Sequence, residues 1–265
     1  MDKRKISIIT VTYNRRELLL RCMDSISKQE YDGPIEHIIV GDGCPVLLSY
    51  ESTIRSFYES AGTKINVLIN HQERNLETYL WARVASHKNL AASLSSGSCI
   101  VNLDDDNTIA PNHLSSLEKT LSQGFDAVHC WRYLFFRDGR PYLRNEYPWL
   151  IGQDVLRAGL LFKIQSDAGV FVPGQNVIRD TLNLEYQGDT YCTVDANEWI
   201  LKKELFDTGE LRFTDDYSYT DILYGHCEDY LFGSRIKALG LKVGCTRLPT
   251  LNYFLAGTSQ APENE

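Results

Sequence analysis

Three consecutive carboxylates, Asp104, Asp105 and Asp106, follow the hydrophobic run Cys99-Ile100-Val101-Asn102-Leu103, and a fourth, Asp42, follows Ile38-Ile39-Val40. Carboxylate oxygens at this density repel one another unless a cation relieves them, so a hard divalent ion with oxygen ligands is their natural partner. A second acidic pair, Glu228-Asp229, stands ahead of the helical pattern Leu231, Phe232, Ile236 and Leu239 that ends at Gly240. An acid at a helix start is favoured in its ionised form, the form a general base needs.

These groups need a frame. Short apolar runs alternate with longer helical patterns, the rhythm of βαβ units and a mostly parallel sheet. Ile6-Ser7-Ile8-Ile9-Thr10-Val11 reads as the first strand, and Asn14 as the cap of a helix that buries Leu19, Cys22, Met23 and Ile26. Strands at Ile38–Val40, Ile65–Ile69 and Cys99–Leu103 follow, with helices near 46–60 and 77–95 between them and a new helix from Asn112. Leu80, Val84, Leu90, Ala91 and Leu94 are the expected core face of the 77–95 helix. Both acidic turns leave carboxyl ends of strands, where open α/β sheets bind ligands. Treating the second and fourth strands as neighbours brings four carboxylates to one edge.

Composition narrows the chemistry. The chain has 265 residues, 43% of them hydrophobic, and a formal charge of −8. It can bury one large core or two joined sub-domains, and it offers no global attraction to nucleic acid. Seven cysteines without a C-x-x-C pair suggest reduced thiols, neither a disulfide framework nor a zinc site. No apolar stretch reaches signal or membrane length, so residence in the cytoplasm is the expectation. No G-x-G-x-x-G or G-x-x-x-x-G-K cradle occurs, which argues against NAD and ATP chemistry. Neither an H-E-x-x-H pair nor a serine elbow is present.

Ile9-Thr10-Val11-Thr12-Tyr13-Asn14-Arg15, Val40-Gly41-Asp42-Gly43-Cys44, Leu103-Asp104-Asp105-Asp106-Asn107 and Cys227-Glu228-Asp229-Tyr230 stand in the order and spacing of family 2 glycosyltransferases. The sequence resembles that family over about residues 5–250. The resemblance implies a GT-A fold: an α/β, Rossmann-like, mostly parallel central sheet flanked by helices, with a smaller acceptor-side sub-domain. It implies a nucleotide-sugar-binding half at 1–107 and an acceptor-binding and catalytic half at 108–256; the polar and acidic composition of 257–265, with Pro262, reads as a flexible tail. By the same resemblance, Thr12 and Tyr13 line the nucleotide pocket, Asp42 hydrogen-bonds the base, and Asp104 and Asp105 face ribose and phosphates. Asp106 matches the ligand of Mn²⁺ or Mg²⁺, and Lys88-Asn89 stands where the family has an Arg-Asn pair near the phosphates. Asp229, beside Glu228, matches the catalytic base of an inverting single displacement from a nucleotide-sugar, UDP by family habit. Gly41, Cys44 and Lys88 depart from the family pattern of an acid, a serine and an arginine, and lysine lacks the bidentate geometry of arginine. The Q-x-x-R-W signature of processive members is absent, which favours one sugar per encounter.

Trp131 to Arg144 reads as two β runs joined around Asp138-Gly139, rich in arginines and aromatics. It suits an ordinary strand pair, an acceptor-sugar platform, or a docking surface for a lipid-linked or anionic acceptor in peripheral contact with a membrane. Trp149 and Trp199 are further acceptor-side candidates. Two competing functions remain. A catalytically silent sugar-nucleotide or glycan-binding module would keep the pocket without the chemistry. A sugar-phosphate nucleotidyltransferase would need a Gly-rich basic loop after its first strand, which Thr12-Tyr13-Asn14-Arg15 is not.

Overall fold

The computed structural model describes residues 3–224 and 226–255; the tail expected at 257–265 lies outside them. The amino-terminal strands are β1 (Ile6–Thr12), β2 (Ile35–Asp42), β3 (Asn66–Gln72) and β4 (Cys99–Asn102), with α1 (Arg16–Ser27), α2 (Pro45–Ser60) and α3 (Leu80–Leu94) as crossovers. β5 (Thr108–Ile109), α4 (His113–Leu121) and β6 (Ala127–Phe135) follow, then α5 (Val155–Asp167) and the short strands β7 (Val177–Ile178), β8 (Leu184–Tyr186) and β9 (Asp189–Tyr191). The chain closes through β10 (Trp199–Lys202), α6 (Glu204–Asp207), α7 (Tyr219–Tyr224), α8 (Glu228–Ala238) and β11 (Val243–Phe254).

The main sheet runs β3-β2-β1-β4-β10-β6-β11-β5, with β7 paired to β6. β1 is parallel to both β2 and β4, whereas β10 is antiparallel to both of its neighbours. β2 and β4 are therefore not adjacent, contrary to the sequence expectation: β1 lies between them, and its own exit enters the site. Isoleucine-rich β1 and β2 are covered on both faces, as crossover helices require. One face packs Ile6, Ile8 and Ile39 against α1, α2 and α4, and the other packs Ile9, Ile38 and Ile100 against α3 and α8. The four residues expected on the inner face of α1 are all buried. A third cluster, including Leu134, Phe162 and Phe171, forms the core under α5. Among the described residues no helix is long and apolar enough to cross a membrane, and all seven cysteines are unpaired.

His37, in the middle of β2, is fully buried. Its Nε2 lies 2.9 Å from Thr10 Oγ1 and its Nδ1 2.8 Å from Tyr58 Oη. Because the Thr10 hydroxyl already donates to the Leu103 carbonyl at 2.6 Å, His37 Nε2–H donates to Thr10 and Nδ1 accepts from Tyr58. Burial pushes the His37 pKa down to about 3. The unfolded chain takes up this proton near pH 6.5 and the folded chain resists it, so the stability from neutral His37 is complete above pH 6.5 and lost as pH falls toward 3. His37→Gln should thus destabilise most at pH 8, and its cost should shrink by up to about 1.4 kcal/mol per pH unit below 6.5. Denaturant titrations of both proteins at pH 8 and pH 5 check this; a cost independent of pH would contradict it.

Candidate functional site

Three strand exits meet at one sheet edge. Thr12 closes β1 and its hydroxyl donates to Asp105 Oδ2 at 2.7 Å. Asn14 does not cap α1; it takes a left-handed conformation (φ 53°), and Arg15 becomes the N-cap residue without a side-chain cap bond. That turn swings Arg15 Nη1 to 3.2 Å from Asp105 Oδ1 and 2.9 Å from Asp106 Oδ2. Arg21 Nη2, from the next turn of α1, donates to the Asp106 carbonyl at 2.6 Å.

The β2 exit is held by α3. Arg83 Nε donates to Asp42 Oδ2 at 2.9 Å, and His87 Nε2 lies 3.1 Å from Asp42 Oδ1. Gly43 has φ 58°, and a Cβ there would meet Arg74 Cβ at 2.4 Å. Glycine therefore lets Arg74 come within 3.6 Å of Asp42 while its guanidinium stacks 3.5 Å from the Tyr13 ring centroid. Cys44 replaces a serine without losing the cap: its Sγ accepts from Leu47 N at 3.3 Å and Asn14 N at 3.1 Å, joining the β1 and β2 turns.

The expected core face of α3 holds in part: Ala91 is buried, and Leu90 and Leu94 pack partly covered against the core, whereas Leu80 and Val84 line the cleft and Arg83, His87 and Lys88 are buried together with alanines. The small residues let α3 approach the sheet closely, and its basic side chains run inward to carboxylates. Lys88 is completely buried. Its Nζ lies 3.0 Å from Glu228 Oε1, 3.3 Å from Asp104 Oδ1 and 3.9 Å from Asp229 Oδ1. It is not among the residues lining the cleft but sits beneath them, joining the two acidic motifs. Asn197 grips Asp104 from the other side: its Oδ1 accepts from Asp104 N at 2.5 Å and its Nδ2 donates to Asp104 Oδ2 at 2.9 Å. Glu228 and Asp229 form the first turn of α8. Glu228 is buried on Lys88, whereas Asp229 is partly open, and its Oδ1 has no hydrogen-bond partner.

These groups line a cleft of about 880 Å³ that presents eight carboxylates and three guanidinium groups. Burial, then Asp105 and Asp104, push Asp106 up to about 7; burial lifts Asp105 to about 6 although Arg15 and Thr12 pull it down. Burial and then Glu228 raise Asp229 well above the ordinary carboxylate range. Carboxylates this strained by their neighbours fit a hard divalent cation, which removes the repulsion. Among the described residues no three His, Cys, Asp or Glu side chains are grouped to hold an ion by themselves, so further oxygens would have to come from a bound ligand.

The cleft continues past Asp229 into the third core cluster. Arg132 of β6 is buried there, with Nη1 2.7 Å from Asp195 Oδ2, and Nε 3.1 Å from Asp180 Oδ2 and 3.5 Å from Glu198 Oε1. The Trp131–Arg144 segment is not two strands. β6 ends at Phe135, a turn follows, and the return run makes only the isolated bridge between Phe135 and Pro141. Its arginines diverge: Arg132 faces the cleft, Arg140 pairs with Asp138 in solvent, and Arg144 lies 3.7 Å from Glu146. Trp149 lines the cleft, whereas Trp199 is fully buried core.

Sequence patterns assign no role to Arg83, His87, Asp195 or Asn197, and place Arg132 only within the Trp131–Arg144 segment. One signal was available: Asp195 and Glu198 form a capping box of the D-x-x-E type, which fixes the short turn carrying Asn197. The spacing of Arg83 and His87, one helical turn apart, was a second.

The family model described as Glycosyl transferase family 2 matches residues 7–183. A curated relative named as the uncharacterized glycosyltransferase YwdF of Bacillus subtilis (strain 168) is 31% identical over 125 residues, 47% of this chain and 41% of that protein. Of solved structures, S. aureus TarS 1–349 in complex with UDP-GlcNAc superposes with a TM-score of 0.58 at 15% identity, covering 96% of this chain and 59% of that one. The mannosyltransferase PcManGT from Pyrobaculum calidifontis, in complex with GDP-Man and Mn²⁺, gives 0.55 at 13% identity, covering 95% and 57%. The chain thus spans about two fifths to three fifths of the length of these proteins. The structural likeness shows the fold, which is GT-A.

Proposed function

The chain belongs to glycosyl transferase family 2, and from that premise we propose that it transfers a single sugar from a nucleotide-sugar, with UDP as the nucleotide, to an acceptor hydroxyl with inversion. One observation carries the reading: Lys88 brings the carboxylates of the β4 exit and of the α8 start within 3.3 and 3.9 Å of a single ammonium, so the two acidic motifs face one space. UDP is the nucleotide in the TarS complexes, and the Tyr13–Arg74 stack beside Asp42 offers an aromatic face and a polar edge suited to a base.

Asp106, with Asp104 and Asp105 beside it, would hold Mn²⁺ or Mg²⁺; when bound, the ion offsets charge on the departing diphosphate. Thr12 and Arg15 set the orientation of Asp105 and Asp106. Asp229, whose side chain is partly open at the cleft, would receive the acceptor proton on its carboxylate. Glu228 stays on Lys88 and positions Asp229. Attack by the acceptor oxygen forms the new glycosidic bond as the sugar–phosphate bond breaks, on opposite faces of the anomeric carbon, and no covalent intermediate is required.

A panel of sugar nucleotides, with and without Mn²⁺ or Mg²⁺, tests the donor half by thermal shift. A donor at about one hundred times its Kd adds about 2.7 kcal/mol, a rise of roughly 5–10 °C. Asp106→Asn should remove the metal-dependent part of that rise and keep the fold. No shift with any sugar nucleotide would refute the proposal, and tight binding without hydrolysis or transfer would favour a silent binding module.

A further inference from the structure

Beyond Asp229 the cleft is walled by aromatic rings: Tyr147, Trp149 and Tyr253 form a continuous set, with Trp149 centred 5.1 Å from Tyr147 and 5.9 Å from Tyr253. The Trp149 indole and the Tyr253 ring are each 5.1 Å from the Arg132 guanidinium behind them. The polar groups set among these rings are mostly acceptors. Asp180 and Asp195 are 2% and 8% exposed. Asp180 Oδ2 contacts Arg132 Nε without the alignment of a hydrogen bond, and Asp229 Oδ1 has no partner. Among the described residues lining this end, Arg132 is the single cation, and Asp180, Asp195 and Glu198 already surround it.

From this chemistry, and resting on the glycosyltransferase reading above, we infer that the acceptor is a neutral, hydroxyl-rich carbohydrate and not a phosphate- or carboxylate-bearing one. Aromatic faces receive the C–H faces of a sugar ring, and a few fixed polar groups orient it. Sugar hydroxyls can donate to the partly open Asp229 carboxylate at the edge of this set. An anionic acceptor would find no free cation here and would meet Asp180, Asp195, Glu228 and Asp229 at close range, an arrangement that rejects it by like charge. The proton released to Asp229 also leaves more readily from a hydroxyl that carries no neighbouring anion.

Saturation-transfer NMR on the full chain with UDP and Mn²⁺ provides the test, using neutral methyl glycosides and disaccharides and the 6-phosphates of the same sugars at equal concentration. Saturation is expected on neutral glycosides at least tenfold above that on their phosphates, is lost in Trp149→Ala, and returns in part in Trp149→Phe. A thermal midpoint measured on each variant shows that it is folded. Equal or stronger saturation of the phosphates, no saturation of any neutral glycoside, or an unchanged signal in folded Trp149→Ala overturns the inference. Absence of UDP binding by the unaltered chain is a separate result, which strikes the donor reading instead.

Discussion

Asp229→Asn is expected to lower kcat for sugar transfer by about two to four orders of magnitude, with the donor KM changed no more than severalfold. The carboxamide keeps the shape and the place at the start of α8 but cannot take the acceptor proton. Asp229 is partly open to the cleft and its Oδ1 has no hydrogen-bond partner, so little folding energy rests on it. Burial and the adjacent Glu228 raise its pKa, with Lys88 opposing them. The base works when deprotonated, so transfer should fail as pH falls through that raised pKa, and the acid limb should lie above the ordinary carboxylate range. In Asp229→Asn that limb should vanish from the residual rate. Transfer at the normal rate would remove Asp229 from the base role.

Lys88→Met should damage both folding and transfer. The ammonium is fully enclosed and within 4 Å of Asp104, Glu228 and Asp229. Removing one member of a buried ion pair leaves the others uncompensated, at a cost of about 3–5 kcal/mol. The surviving carboxylates would move apart or take up protons, and displacing a reacting group by about 1 Å costs on the order of a hundredfold in rate. Denaturant unfolding measures the first effect, and kcat measured well below the unfolding midpoint measures the second. A large loss of stability with kcat intact would show that Lys88 holds the fold but not the geometry of transfer. An arginine at this position would keep the charge but needs more room than the enclosed Nζ has, so Lys88→Arg should fall between the two.

The parts of the fold with strong local signals were legible in the sequence. Continuous apolar runs mark β1, β2 and β4 because both faces of these strands are covered, and the buried stripe of α1 follows its helical period. The acidic turns were legible because aspartates after a strand have few structural uses. What failed was long-range. That β1 separates β2 from β4 is a matter of sheet order, which no local pattern encodes. α3 misled in part because Leu80 and Val84 line the cleft while its basic residues are offset by distant acids, Asp42 and Glu228, 41 and 140 positions away. Asn14 reads as a cap by residue type, yet the turn needs its tolerance of a left-handed backbone. The return run after Gly139 has hairpin residues but lacks a partner edge beyond Pro141.

Helix α3 braces both acidic ends of the cleft on one rigid rod. Arg83 and His87 grip Asp42, Lys88 grips Asp104 and Glu228, and about 7.5 Å of helix axis separates Arg83 from Lys88. The distance between the two acidic ends is thereby a fixed gauge, set by backbone geometry and not by a movable loop.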